Sequence, residues 1–160
     1  MNKLLIENAF DSFLISEAKI VAANTYILDG HINDGFYTDE DISQFEADSE
    51  SEGRIYNKKL TRWSNLKPLC VSMIKGKRTP ISFKYVFYLA DENVNKFKSK
   101  LDNPNVAIDG LSLIVRFENN VLSITTGTVL KEFTLDKTVE NTWDDMVMKF
   151  LTSNGIEFEY

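Results

Sequence analysis

The sequence predicts an α+β fold, a mainly antiparallel sheet accompanied by about four helices, and three stretches carry that prediction. Leu66, Leu69, Cys70, Met73 and Ile74 recur at the spacing of a stripe that a helix buries against a core. Ile81, Phe83, Tyr85, Phe87 and Leu89 alternate with Ser82, Lys84, Val86 and Tyr88, the period of a long strand with one buried face. Between Gly110 and Leu135 the pattern is a meander, with Leu111, Leu113, Val115 and Phe117 alternating up to Asn119-Asn120 before the chain returns.

Taken in order, residues 2–9 open with a short helix that sets Leu4 and Leu5 against Asn8 and Ala9. Phe13, Ile15, Ala18, Ile20 and Ala22 read as one strand with a bulge near Ser16-Glu17, and Thr25-Tyr26-Ile27-Leu28 as its return after a turn at Ala23-Asn24. Asp29-Gly30 and Asp34-Gly35 mark turns. Thr38 suits the cap of a helical turn through Glu40, Asp41, Ile42 and Phe45. Asp48-Ser49-Glu50-Ser51-Glu52-Gly53 lacks an apolar anchor, so residues 38–53 are expected as a mobile acidic loop. In the helix that follows, Asn65 reads as the cap, which sets Pro68 in the first turn, and Gly76 as the stop.

Beyond the central strand, Asp91-Glu92 begin a helix with Val94, Phe97 and Leu101 inward and Lys96, Lys98 and Lys100 outward, charges that suit its dipole. Asn119-Asn120 fits a primed two-residue turn, Gly127 a bulge or bend, and Val129 to Leu135 a third strand. Thr138 reads as the cap of the last helix, striped by Val139, Trp143, Met146, Val147, Phe150 and Leu151. After Gly155, the alternation of Ile156, Phe158 and Tyr160 reads as a charged edge strand. The elements thus form one rough order used twice, helix-strands-helix-strand, with no residue-level self-similarity. The whole chain, 1–160, is expected to be a single domain.

Charge is distributed unevenly. The net charge of −6 opposes nonspecific nucleic-acid binding in bulk. Residues 29–52 hold nine acids and no Lys or Arg, whereas residues 53–90 hold nine bases and no acid. The apolar run near Met1 is too short for a signal core or a membrane span, so a cytoplasmic protein is expected. Cys70 falls on the apolar stripe of its helix with no basic partner at a useful spacing, and reads as a packed core thiol.

The candidate anion-binding residues are Lys58, Lys59, Arg62, Trp63, Lys75, Lys77 and Arg78. Lys75-Gly76-Lys77-Arg78-Thr79 joins a glycine turn to three cations and a hydroxyl, which suits a phosphate or carboxylate. It also sits at a helix C-terminus, where cations are favoured without any ligand. Arg62-Trp63 after Lys58-Lys59 suits an aromatic-plus-cation surface, or a Trp that packs against the helix start. His31, the single histidine, reads as a turn residue, and the pairs Asp91-Glu92 and Asp144-Asp145 as first-turn acids. One His and one Cys far apart leave no triad and no zinc spacing, so no catalytic residue, metal or cofactor is assigned.

Trp63-Ser64 with Leu66, Pro68-Leu69-Cys70 and Lys75-Gly76-Lys77-Arg78-Thr79-Pro80 resembles the signature of a small family of uncharacterised bacterial proteins of about this length, a domain of unknown function. Leu28-Asp29-Gly30-His31-Ile32-Asn33, Thr125-Thr126-Gly127-Thr128 and Phe133-Thr134-Leu135-Asp136 extend the likeness over nearly the whole chain. The resemblance implies a single-domain bacterial protein and transfers no site residue.

The expected function is a non-catalytic binding module whose basic segment 54–84 engages an anionic partner, a macromolecule or a protein, or its own acidic loop. The alternatives are an enzyme using Asp or Glu with Lys or Arg on a phosphorylated small molecule, and a DNA accessory protein resembling a sliding clamp. A module should leave the bases on an open face, an enzyme should converge them with carboxylates in a concave pocket, and a clamp should align Lys67, Lys75, Lys96 and Lys100.

Overall fold

Phe83, Tyr85 and Phe87 are buried on one face of the strand Ser82–Tyr88, and the sheet is assembled around it. The computed structural model describes residues 1–74, 76 and 78–160. Their elements run α1 (Asn2–Leu5), β1 (Leu14–Val21), β2 (Thr25–Asp29), α2 (Asp39–Ser51), β3 (Thr61–Arg62), α3 (Trp63–Ile74), β4 (Ser82–Tyr88), α4 (Asp91–Lys98), β5 (Ile108–Glu118), β6 (Val121–Leu130) and α5 (Thr138–Ser153). This is an α+β fold in which every strand pairing is antiparallel, in the order β2-β1-β4-β5-β6, with short β3 against the start of β1.

The expected bulge in β1 lies between Ile15 and Glu17, where the register with β4 shifts. There the Gly30 N–H donates to the Ser16 carbonyl at 2.9 Å. A Cβ on Gly30 would stand 1.9 Å from the Ile15 carbonyl oxygen, so this close approach requires glycine. Asn119 and Asn120 both have positive φ, 52° and 62°, the primed turn their side chains tolerate.

One face of the sheet holds the core. Phe83, Tyr85 and Phe87 stand opposite Ile20, Ala18 and Ile15 on one side and Phe117, Val115 and Leu113 on the other. Helix α3 lays Trp63 against Tyr85 and Phe87 at 5.1 and 5.4 Å between ring centroids. Helix α5 brings Phe150 onto Phe10 and Phe13, which in turn meet Phe87. Both indoles are buried and both find acceptors: Trp63 Nε1 donates to the Leu4 carbonyl at 3.1 Å and Trp143 Nε1 to that of Ser112 at 2.9 Å. The opposite face, with Lys19, Lys84, Ile114, Arg116 and Thr125, is left to solvent, and Ile27 and Val121 on it are exposed.

Six expectations are corrected. The acidic stretch expected as a loop is helix α2, because Thr38 and Asp41 form a reciprocal capping box and Gln44 donates to Asp48 one turn on. Its acidic first turn complements the helix dipole, and Phe45 supplies the apolar anchor by packing between Tyr37 and Tyr56. Helix α3 starts at Trp63, not after an Asn65 cap, since the Trp63 N–H is already fixed on the Phe13 carbonyl; Pro68 therefore lies mid-helix.

Strand β6 runs straight through Gly127, where a Cβ would meet Ser112 Oγ at 2.5 Å; the glycine permits close strand approach and breaks nothing. Neither Val129–Leu135 nor residues 156–160 form the further strands their alternation suggested. The ladder stops at Leu130, and no neighbouring strand is placed to pair with Phe133, Leu135, Phe158 or Tyr160 among the described residues. At α5 the cap position is Lys137, and Thr138 instead donates through both its N–H and Oγ1 to Asp136.

The repeated order survives only in part. A helix, a hairpin and a helix precede β4 and recur after it, but α2 and β3 interrupt the first set and no strand among the described residues closes the second.

Candidate functional site

The chain leaves the sheet after β2 and returns at β3, and this excursion builds a groove against the start of α3. Its ends are zipped by a bridge between His31 and Leu60 and by the Ile32 N–H on the Lys59 carbonyl at 2.8 Å. His31, expected as a turn residue, is a bridge residue whose N–H and Nδ1 both meet Asp29 Oδ1, which holds the Asp29 carboxyl below the usual carboxylate range. Between the two ends, α2 stands over residues 54–65 and encloses a groove of about 360 Å³.

Aromatic rings form one wall of it. Phe45 contacts Tyr37 edge-on at 4.9 Å and Tyr56 at 5.4 Å. Partial burial, with Tyr37 and Glu46 nearby, pushes the Tyr56 hydroxyl above its ordinary pKa. Charged and amide groups form the rest. Asp48 and Glu52 come from the α2 side, Arg54, Arg62, Asn57 and Asn65 from the other.

Most of these charges already have partners. Glu52 pairs with Arg54, Glu46 holds Lys58 at 3.2 Å, and Gln44 donates to Asp48 at 2.8 Å. Arg62 is the most committed side chain, donating to the Ser12 carbonyl at 3.0 Å, the Ile55 carbonyl at 3.2 Å and Glu92 Oε1 at 2.8 Å. Only 12% of its side chain and 10% of that of Glu92 are exposed. Asn57 adds a second tie, donating to Asp91 at 3.1 Å while its oxygen accepts the N–H groups of Lys59 and Leu60. Asp91 and Glu92 thus anchor the excursion as well as opening α4.

The described candidate anion-binding residues do not converge. Lys58 is held by Glu46, and Lys59 is exposed with no ion pair among the described residues. Arg62 is a structural clamp. Trp63 is fully buried, so its ring presents no surface to a ligand; the indole fills the core above Tyr85. Arg78 is exposed and follows the C-terminal end of α3, a helix about 18 Å long whose N-terminal end adjoins Arg62. Lys75 and Lys77 lie outside the described residues. Lys67, one of the lysines on which a clamp depends, is paired with Asp11 and donates to the Glu7 carbonyl at 3.2 Å. Asp144 lies in the second turn of α5, not the first, where it accepts from Thr126.

The aromatic wall escaped the sequence reading. Tyr37, Phe45 and Tyr56 are scattered through a polar stretch, and only the helical conformation of α2 brings the three rings into one line. Cys70 is buried, and burial alone pushes its thiol up to about 11. Among the described residues no group of three or more His, Cys, Asp or Glu is placed to hold a metal ion.

These features define an α+β protein with helices on one sheet face and a groove walled by segments of opposite charge. The chain belongs to the family of unknown function DUF5721, which matches residues 3–159. No curated protein and no solved structure matches it. No helix among the described residues is long and apolar enough to cross a membrane.

Proposed function

We propose that this protein is a non-catalytic binding module whose basic segment 54–84 is engaged by its own acidic helix α2, with the ligand site in the groove between them. The pairing of Glu46 with Lys58, supported by that of Glu52 with Arg54, carries the reading. Sequence segments of opposite charge meet here at Lys58 and Arg54. Arg62, Lys67 and Lys84 pair with acids elsewhere, and Lys59 and Arg78 are the described bases of segment 54–84 without an ion pair among the described residues. An anionic partner would therefore compete with α2 for the segment.

Heparin affinity chromatography at low salt tests this. Glu46→Gln with Glu52→Gln should elute at higher salt than the parent chain, beyond the shift given by a control that neutralises the same number of charges elsewhere, Glu157→Gln with Glu159→Gln. Equal elution of the two variants would remove the role of α2.

One observation favours a second reading. The groove does bring Arg54 and Arg62 together with Asp48 and Glu52 in a concave setting, as an enzyme acting on a phosphorylated small molecule requires. A thermal-shift screen against nucleotides and sugar phosphates discriminates the two. Stabilisation accompanied by conversion of the ligand, both abolished by Arg54→Ala, would support the enzyme, whereas stabilisation without conversion would support the binding module; Arg54 is the arginine to replace, since Arg62 is already fully bonded.

A further inference from the structure

Strand β6 is one edge of the sheet, and it lacks every device that keeps such edges apart. Its ten residues, Val121-Leu122-Ser123-Ile124-Thr125-Thr126-Gly127-Thr128-Val129-Leu130, include no charge and no proline. Edge strands usually carry a lysine, a proline or a covering loop to prevent pairing with another chain. Here Val121, Leu122 and Val129 are exposed, and no described segment pairs with the free side. The opposite edge, β2, is half as long and ends at Asp29 beside Gly30. In a chain of net charge −6, β6 is a neutral strip along which two copies meet without repulsion.

The hairpin geometry sets how they would meet. Glu118 and Val121 close a two-residue primed turn, so they exchange both backbone bonds with each other. Alternation then points the N–H and C=O groups of Leu122, Ile124, Thr126 and Thr128 away from β5, toward the free side. A two-fold antiparallel pairing must match these even-numbered residues with one another. Centred on Thr125, it sets Ile124 against Thr126, Leu122 against Thr128 and exposed Val121 against exposed Val129. Phe133 and Leu135, 92% and 83% exposed, come after Lys131-Glu132 at the end of the strand and would lie near the other copy's Asn119-Asn120 turn.

We infer that β6 pairs with β6 of a second copy of this chain, antiparallel about a two-fold axis at Thr125, to give one sheet continuous across a dimer. The pairing supplies the missing partner for the apolar residues at the edge and in the segment after it.

The full chain tests the inference. Sedimentation should show a dimer that Thr125→Lys converts to a monomer with an unchanged far-ultraviolet spectrum, because like charges then face each other on the axis while the exposed Thr125 side chain supports no core contact. Thr125→Cys should form an intermolecular disulfide under mild oxidation, with the buried Cys70 silent and Ile27→Cys, at the other edge, uncrosslinked. A monomeric parent chain would overturn the inference, and so would a dimer that survives Thr125→Lys or in which Thr125→Cys fails to crosslink.

Discussion

Arg62 is the residue on which sequence and structure differ most, and replacing it with Met separates their consequences. As an anion-binding residue it would affect affinity and leave stability alone. The structure makes it a part-buried clamp instead, joining Ser12, Ile55 and Glu92. With 12% and 10% of the two side chains exposed, solvent screens the pair little, and the loss of Arg62 strands the Glu92 carboxylate and two carbonyls. Removing one partner of such a pair costs about 3–5 kcal/mol. For a chain of this size that is a fall in melting temperature of roughly 10 °C. Urea unfolding followed by the fluorescence of buried Trp63 and Trp143 measures it directly. Adding Glu92→Leu should recover part of the loss, since an apolar pair of similar volume replaces a buried ion pair at little penalty. A loss below about 1 kcal/mol, the range of an exposed ion pair, would refute the clamp.

Gly30→Ala drives a Cβ toward the Ile15 carbonyl oxygen, a backbone atom that cannot swing aside, and should destabilise by on the order of 3 kcal/mol in the same assay. Thr38→Ala removes the capping box of α2 and should cost about 1 kcal/mol, read as lost helical signal at 222 nm with the core intact. Alkaline titration should weaken the fold: Cys70 holds its proton to about 11 against an ordinary 9.0, so between these values the unfolded chain binds fewer protons than the native one and stability falls as pH rises. Burial also raises the Tyr85 hydroxyl, which extends the decline to higher pH. Cys70→Ala should flatten the first part of that profile, and equal slopes in the two proteins would refute the assignment.

Where a pattern was both long and flanked by turn chemistry, the sequence was legible. The aromatics of β4, the stripe of α5, the Ser16-Glu17 bulge and the Asn119-Asn120 turn rest on local rules that tertiary contacts reinforce. Alternation misled at Phe133 and Phe158 because a strand needs a neighbour as well as a period, and that neighbour is not encoded locally. The acidic stretch hid its helix for another reason. None of its residues is buried, so the signal lay in the cap and in one aromatic anchor, Phe45, and not in a stripe. The candidate site was least visible. A run of bases shows that charge is concentrated, but it cannot show that Arg62 turns inward to Glu92 while Arg78 lies at the other end of a helix.

The zipped ends of the excursion have one more consequence. Because His31 and Leu60 are bridged, the intervening stretch departs from and rejoins the sheet at neighbouring points, so closing it orders little of the remaining chain. It can open as a unit of its own, with amide exchange faster across residues 34–56 than in β4 or β5. Changes in its length are best placed between Asp34 and Gly53, clear of the ties that Ile55 and Asn57 make to Arg62 and Asp91.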